Sequence, residues 1–248
     1  MLTSEPQRGA GVIVPFDFAL DRELWRWTPP ELSLYLTRLP FAAMPMTLDL
    51  AITLSAREAM TQACRAISVP GPVAVAYACT SGSFVNGAAA ADTLVGDMVA
   101  GGVPAATTTS GALVESLAHL DARRVAVVTP YIESVTTRLV DFLGEHAVGV
   151  VSTVDLGLIS RIWEVSPREL VAAVRAADRP DADAVFISCT NLAAYDIIAP
   201  LERALGKPVL SANQVTMWSL IHAAGATPPE SDQRLFRNSH AHVSQGRA

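Results

Sequence analysis

Residues 73–83, Val-Ala-Val-Ala-Tyr-Ala-Cys-Thr-Ser-Gly-Ser, and residues 184–192, Ala-Val-Phe-Ile-Ser-Cys-Thr-Asn-Leu, are two versions of one pattern. Each is an apolar run of strand length, then Cys-Thr, then small polar residues, then apolar residues at helical spacing. An unbroken apolar run fits a strand covered on both faces, as in a parallel sheet. The two cysteines, Cys79 and Cys189, lie 110 residues apart in a chain of 248. A residue at the carboxyl end of a parallel strand faces the crevice in which open α/β sheets bind ligands. Two such cysteines in two similar halves can face each other across one cleft.

Working outward, strands and helices alternate. Residues 11–15, Gly-Val-Ile-Val-Pro, read as a first buried strand stopped by Pro15, with a loop leading to a short helix that Asp21 caps. Residues 32–39 alternate apolar and polar, as a second strand does. Residues 47–67 read as one helix carrying Cys64, an inert packed thiol. Further strands are expected at 73–78, 104–107, 124–129, 149–155, 184–188 and 208–210. Helices are expected at 86–100, 111–120, 133–143, 167–177, 196–205 and from Gln214 to Ala224. Ser166 and Glu169 stand at the spacing of a capping box, and Gly206 closes the helix before it. Strand, Cys-Thr, helix, Pro-led strand, small polar residues, helix occurs at 73–120 and again at 184–224. The fold class is therefore α/β: two similar doubly wound parallel-sheet lobes related by a pseudo-twofold, with the site in the cleft between them. The N-terminal lobe spans 1–115, the C-terminal lobe 116–225, and 226–248 form a polar tail of which Gln233–Arg237 dock.

Composition bounds the function. Half of the residues are hydrophobic and 17% charged, which excludes a disordered chain. A net charge of −6 leaves no electrostatic footprint for nucleic acid, and no apolar stretch is long enough to span a membrane. Three cysteines form no disulfide framework. The N-terminus lacks the charged and apolar regions of a signal peptide, so the expected location is the cytoplasm. His119, His146, His222, His240 and His242 show no metal spacing with the cysteines, and no phosphate loop appears, so neither metal nor cofactor is expected. Trp25 and Trp27 in an early segment predict apolar surface for a homodimer or larger assembly.

A thiolate is a nucleophile and a thiol a proton donor, so two cysteines flanking one carbon can do complementary work. Thr80 and Ser81 after Cys79, and Thr190 and Asn191 after Cys189, offer hydroxyls and amides at expected helix N-termini, where anions bind and thiol pKa falls. Tyr131, after Thr129-Pro130, is either a donor to a carboxylate or a half-buried loop aromatic. Arg161 is a carboxylate clamp or a surface arginine. Asp17, between Phe16 and Phe18, lines the same face or makes the turn into the first helix.

The paired Cys-Thr motifs, the two halves and the length resemble the aspartate/glutamate racemase superfamily. Ala78-Cys79-Thr80-Ser81-Gly82-Ser83-Phe84, Val128-Thr129-Pro130-Tyr131, Ser188-Cys189-Thr190-Asn191-Leu192 and Pro208 to Gln214 are similar to its maleate cis–trans isomerase branch. Arylmalonate decarboxylases share the fold but carry glycine at the first cysteine position, so Cys79 argues against that activity. The resemblance implies that Cys79 adds to an alkene carbon of a small dicarboxylate, that the resulting single bond rotates, and that Cys189 handles the proton. It implies carboxylate contacts from Thr80, Ser81, Tyr131, Thr190 and Asn191, and no cofactor. Phe16-Asp17-Phe18-Ala19 departs from the Ser-Ser-Asn-Thr loop of maleate isomerases, and Pro15 to Trp25 looks more like proteins encoded with ectoine-degradation enzymes. Three readings stand: a two-cysteine isomerase of a small carboxylate, a racemase or isomerase of an amino acid or ectoine-degradation intermediate, and a non-catalytic small-carboxylate binding protein.

Overall fold

In the computed structural model, which describes residues 8–237, eight strands form two four-stranded parallel sheets of the same strand order. The first sheet holds β1 (Arg8–Val14), β2 (Leu32–Arg38), β3 (Ala74–Tyr77) and β4 (Ala106–Thr108), ordered β2-β1-β3-β4. The second holds β5 (Arg124–Thr129), β6 (Gly149–Asp155), β7 (Ala184–Ile187) and β8 (Val209–Ser211), ordered β6-β5-β7-β8. The central strands β3 and β7 are buried along their whole length, because helices cover both faces. That is why they read as unbroken apolar runs. β6, at an edge, is only half-buried and mixes Ser152 and Thr153 with valines.

The strands are joined and followed by the helices α1 (Asp21–Trp25), α2 (Leu48–Leu54), α3 (Arg57–Ser68), α4 (Thr80–Phe84), α5 (Ala88–Ala100), α6 (Thr109–His119), α7 (Glu133–Glu145), α8 (Pro167–Ala177), α9 (Tyr195–Leu205) and α10 (Ala212–Ala223). The capping box at Ser166 and Glu169 is formed, and Gly206 closes α9 in the left-handed region. The single helix expected over 47–67 is two helices. The Ser55 hydroxyl donates to the Ile52 carbonyl at 2.8 Å and Ala56 is extended, so the chain breaks between them. The helix expected from Asn86 is α5, and the one-turn α4 that precedes it is too short to show periodicity; Gly87, at φ +82°, separates the two.

The lobes meet where α6 packs on α10. Ser219 donates to Glu115 at 2.9 Å, so the 2.7 Å Thr107–Ser219 bond takes its proton from Thr107; Thr109 and Thr216 pair at 2.8 Å. The β1–β2 connection of the first lobe lies on the second. Arg26 makes two 2.7 Å bonds to Asp196 and stacks on the Tyr195 ring. Trp27 is fully buried between Tyr195 and Phe236, and its Nε1–H donates to Gln233 at 2.8 Å. Gln233 to Arg237 therefore dock, with Leu235 and Phe236 in the core; residues 238–248 of the expected tail, including His240 and His242, lie outside the described residues. The expectation that both early tryptophans mark uncovered surface is corrected for Trp27, which the chain buries itself; Trp25 is 45% exposed. Among the described residues no helix is long and apolar enough to cross a membrane.

Candidate active site

Both cysteines stand just past the carboxyl ends of equivalent strands, Cys79 after β3 and Cys189 after β7. Cys79 is extended, at φ −142°, and leads straight into α4, whose Thr80, Ser81, Gly82 and Ser83 are all buried. A Cβ on Gly82 would lie 2.2 Å from the Tyr77 hydroxyl oxygen and 3.1 Å from Cys79 Sγ, so only glycine lets this turn approach the thiol. Tyr77 donates to the Leu54 carbonyl at 2.7 Å. The Ser83 hydroxyl donates to the Thr80 carbonyl at 2.9 Å and meets Ser110 at 2.5 Å, tying the turn to α6. Ser81 Oγ is 4.0 Å from Cys79 Sγ. Thr80 Oγ1 is buried with no protein partner, which leaves it free for a ligand.

Cys189 is built differently. It sits at φ +88°, a region that disfavours any residue with a Cβ. The Asn191 amide points at its sulfur at 3.4 Å. The Asn191 side chain is spent elsewhere: its Oδ1 accepts from Ala19 N–H at 2.9 Å and its Nδ2 donates to the Asp17 carbonyl at 3.2 Å. Asn191 thus offers its backbone to the thiol and its side chain to the opposite lobe. No helix begins at Thr190; α9 starts at Tyr195, and its first amides are taken by Glu23. The open helix N-terminus expected after Cys189 is therefore filled by a protein carboxylate.

Tyr131 follows β5 and is 1% exposed, so it is fully buried rather than a half-buried loop aromatic. Cys189 is half-buried by its own surface, yet desolvation by the protein packed around it pushes its thiol up to about 12; the Asn191 amide and the Tyr131 hydroxyl oppose this, and the charges of Asp17 and Cys79 add to it. Cys79 is also raised, first by burial and further by Asp17, with the Gly82 amide and the Ser81 hydroxyl opposing. The lowered thiol pKa expected from helix N-termini is thus overturned: desolvation outweighs the local donors, and both groups rest as neutral thiols. Asp17 is itself raised by burial, against the Arg38 charge. Asp17 raises both thiols, and both thiols act on Tyr131, so the four groups lie within electrostatic reach of one another.

Thr190 is buried, and its carbonyl accepts from Asn213 at 2.9 Å. Arg161 stays outside the group. Its side chain is 70% exposed and its guanidinium pairs with Glu164, so the clamp expected of it is a surface ion pair. Cys64 is buried on α3, and burial lifts it to about 11. Among the described residues no three His, Cys, Asp or Glu side chains are grouped to hold a metal ion. Sequence reasoning missed Glu23, a buried acid on a five-residue helix, and Tyr77, hidden inside an apolar strand. The signal for Glu23 was an acid between apolar neighbours; Tyr77 gave none.

A family model described as arylmalonate decarboxylase matches residues 28–236. Arylmalonate decarboxylase of Bordetella bronchiseptica is 35% identical over 173 residues, 68% of this chain and 72% of that protein. Maleate isomerase of Nocardia farcinica is 31% identical over 179 residues, 68% of this chain and 71% of that protein. Among solved structures, a liganded arylmalonate decarboxylase variant, with one glycine replaced by cysteine and one cysteine by serine, superposes with a TM-score of 0.84 at 30% identity. It covers 92% of this chain and 98% of its own. The fold is also that of a Nocardia farcinica maleate cis–trans isomerase variant carrying a covalently bound succinylcysteine intermediate, with a TM-score of 0.81 at 24% identity over 93% of this chain and 98% of the other. By its sequence, its two parallel-sheet lobes and its matched length, the chain belongs to the arylmalonate decarboxylase family of the Asp/Glu racemase-like superfamily.

Proposed function

We propose that this protein is a cofactor-independent isomerase of a small carboxylate that works through two thiols, with maleate cis–trans isomerisation as its reaction. The observation that carries the reading is the placement of Cys79 and Cys189 at equivalent strand ends, within electrostatic reach of Asp17 and Tyr131. The maleate isomerase relatives support it, one of them crystallised with a succinylcysteine. In this reading Cys79 first loses its proton to solvent. Its sulfur then adds to one alkene carbon while the Cys189 thiol protonates the other, leaving a single bond that rotates and a Cys189 thiolate. That thiolate takes the proton back, the C–S bond breaks, and the trans alkene leaves. Burial suits Cys189 to the donor role, because a thiol near 12 is fully protonated at neutral pH. Thr80 Oγ1, with no protein partner, is the group to receive a substrate carboxylate.

Asp17 favours a second reading. A carboxylate facing both thiols suits a substrate that carries an ammonium group, and two thiols flanking an α-carbon would racemise an amino acid or an ectoine-degradation intermediate. Proton NMR in deuterated buffer separates the readings. Conversion of maleate to fumarate supports the isomerase; deuterium entering an amino acid α-position without that conversion supports the racemase. Neither change, with ligand affinity surviving Cys→Ser at both positions, replaces both with a non-catalytic binding protein.

A further inference from the structure

We propose that Glu23 is a positioning residue that locks the turn of Cys189 from the opposite lobe. Glu23 lies on α1, in the connection between β1 and β2, and is 8% exposed. One of its oxygens accepts from Ala194 N–H and Tyr195 N–H, each at 2.7 Å. The other accepts from Asn213 Nδ2 at 2.6 Å, and that same amide donates to the Thr190 carbonyl at 2.9 Å. One carboxylate thereby grips both ends of the stretch that follows Cys189: the start of α9 directly, and the Cys189–Thr190 side through Asn213.

Burying a carboxylate is expensive, and burial raises the Glu23 pKa accordingly. Capping α9 alone would not need it, because a local Ser, Thr, Asn or Asp at the N-cap does that at the surface. α9 instead has Ala194 at its N-cap and no side-chain cap of its own. What a carboxylate from the other lobe adds is the link to Asn213, and through it to the peptide beside a residue held at φ +88°. Strained conformations persist only where the surroundings over-determine them. Asn191 ties the same turn to Asp17 and Ala19, a few residues before Glu23, so the 17–23 segment straps the Cys189 turn at two points. The Cys79 turn has no such carboxylate: its Thr80 carbonyl accepts from the hydroxyls of Ser83 and of Ser110 on α6, at 2.9 and 3.2 Å. It runs directly into α4, and the acid that reaches across on that side, Glu145, caps Ala88 of α5 instead.

That the positioned thiol handles a proton rests on the two-thiol reading, whereas the brace is tested without substrate. Wild type, Glu23→Gln and Asn213→Ala are alkylated with iodoacetamide from pH 7 to 10, and Cys79 and Cys189 are followed separately by mass spectrometry. Glutamine keeps one acceptor oxygen and turns a donor toward the remaining N–H groups, so the brace fails without a change in size. A loosened turn admits water and reagent to Cys189 and lowers its pKa; each unit lost raises its thiolate fraction about tenfold below that pKa, a gain that the lower nucleophilicity of the thiolate offsets only in part. The expected result is at least a tenfold gain at Cys189 in both variants, with Cys79 unchanged within about twofold. A common change at both thiols, no change at Cys189, or failure of both variants to fold would overturn the selective role. Maleate turnover is read in parallel. Wild type inert toward maleate counts against the isomerase and leaves the alkylation result standing.

Discussion

Replacing Cys189 by glycine should give a more stable protein than replacing it by alanine, although both variants lose the thiol. At φ +88° a Cβ crowds the backbone, and such outliers cost on the order of 1–3 kcal/mol. Alanine retains that cost and glycine removes it. Against this, glycine loses more backbone entropy on folding, about 0.5–1 kcal/mol. With the strain taken at about 2 and the entropy at about 1, glycine is favoured by about 1 kcal/mol. For a chain of this size that corresponds to a melting temperature roughly 2–4 °C higher. Both variants lose the 3.4 Å Asn191 N–H contact to sulfur, so that loss cancels in the comparison. Thermal and urea unfolding of the two, in the same buffer, read the difference. A glycine variant equal to or less stable than the alanine variant would refute the claim that Cys189 is held under strain.

The two thiols should also differ in separable events: in Cys79→Ala, maleate gives neither turnover nor a mass adduct, while Cys189→Ala loses turnover at least a hundredfold yet still accumulates an adduct at Cys79, as intact mass shows. An adduct at Cys189 in Cys79→Ala would reverse the assignment. Because burial raises the folded thiols, Cys189 to about 12, the folded state holds protons that the unfolded chain releases near the ordinary value of 9.0; stability should therefore be full below about pH 9 and decline toward pH 12, and a Cys189→Ser variant should decline less over that range in pH-dependent urea melts. Gly82→Ala should cost about 1–3 kcal/mol in urea unfolding, since its methyl must displace the Tyr77 hydroxyl from the Leu54 carbonyl; a neutral result would show that the turn yields without cost. Trp27→Ala should cost about 3–5 kcal/mol and release the Gln233–Arg237 segment, read as faster amide exchange at Leu235 and Phe236.

The sheets were legible because their central strands are buried on both faces, which forces continuous apolar runs such as Ala184 to Ile187, and because each ends on the same Cys-Thr pair. Duplication of that pattern carried the two-lobed topology. The thiol environment was not legible. Thr-Ser-Gly-Ser and Thr-Asn promise amides and hydroxyls that favour an anion, and the donors are present around Cys79; how deeply the sulfur is withdrawn from water depends on Tyr131, Tyr77 and the opposite lobe, which no local spacing records. For Arg161 the structure shows the surface alternative: Glu164, three residues away, pairs with it without any ligand. Glu23 was hidden because its partners Ala194, Tyr195 and Asn213 lie some 170–190 residues further on.

The site needs both lobes for a physical reason. Each sheet can deliver one thiol to its carboxyl edge, but neither can enclose it. The β1–β2 connection supplies the closure for Cys189: Asp17 sets its charge environment, Ala19 and the Asp17 carbonyl hold Asn191, and Glu23 holds Asn213 and α9. Tyr131 makes the reverse crossing, from the second lobe toward Cys79. These ties, like the packing of α6 on α10, cross from one lobe to the other. Chemistry that needs a thiol on each side of one carbon is sensitive to the separation of the two sulfurs. In the proposed function, duplicating a strand–Cys–Thr unit supplies the two thiols, and the connections reaching across between the lobes join them.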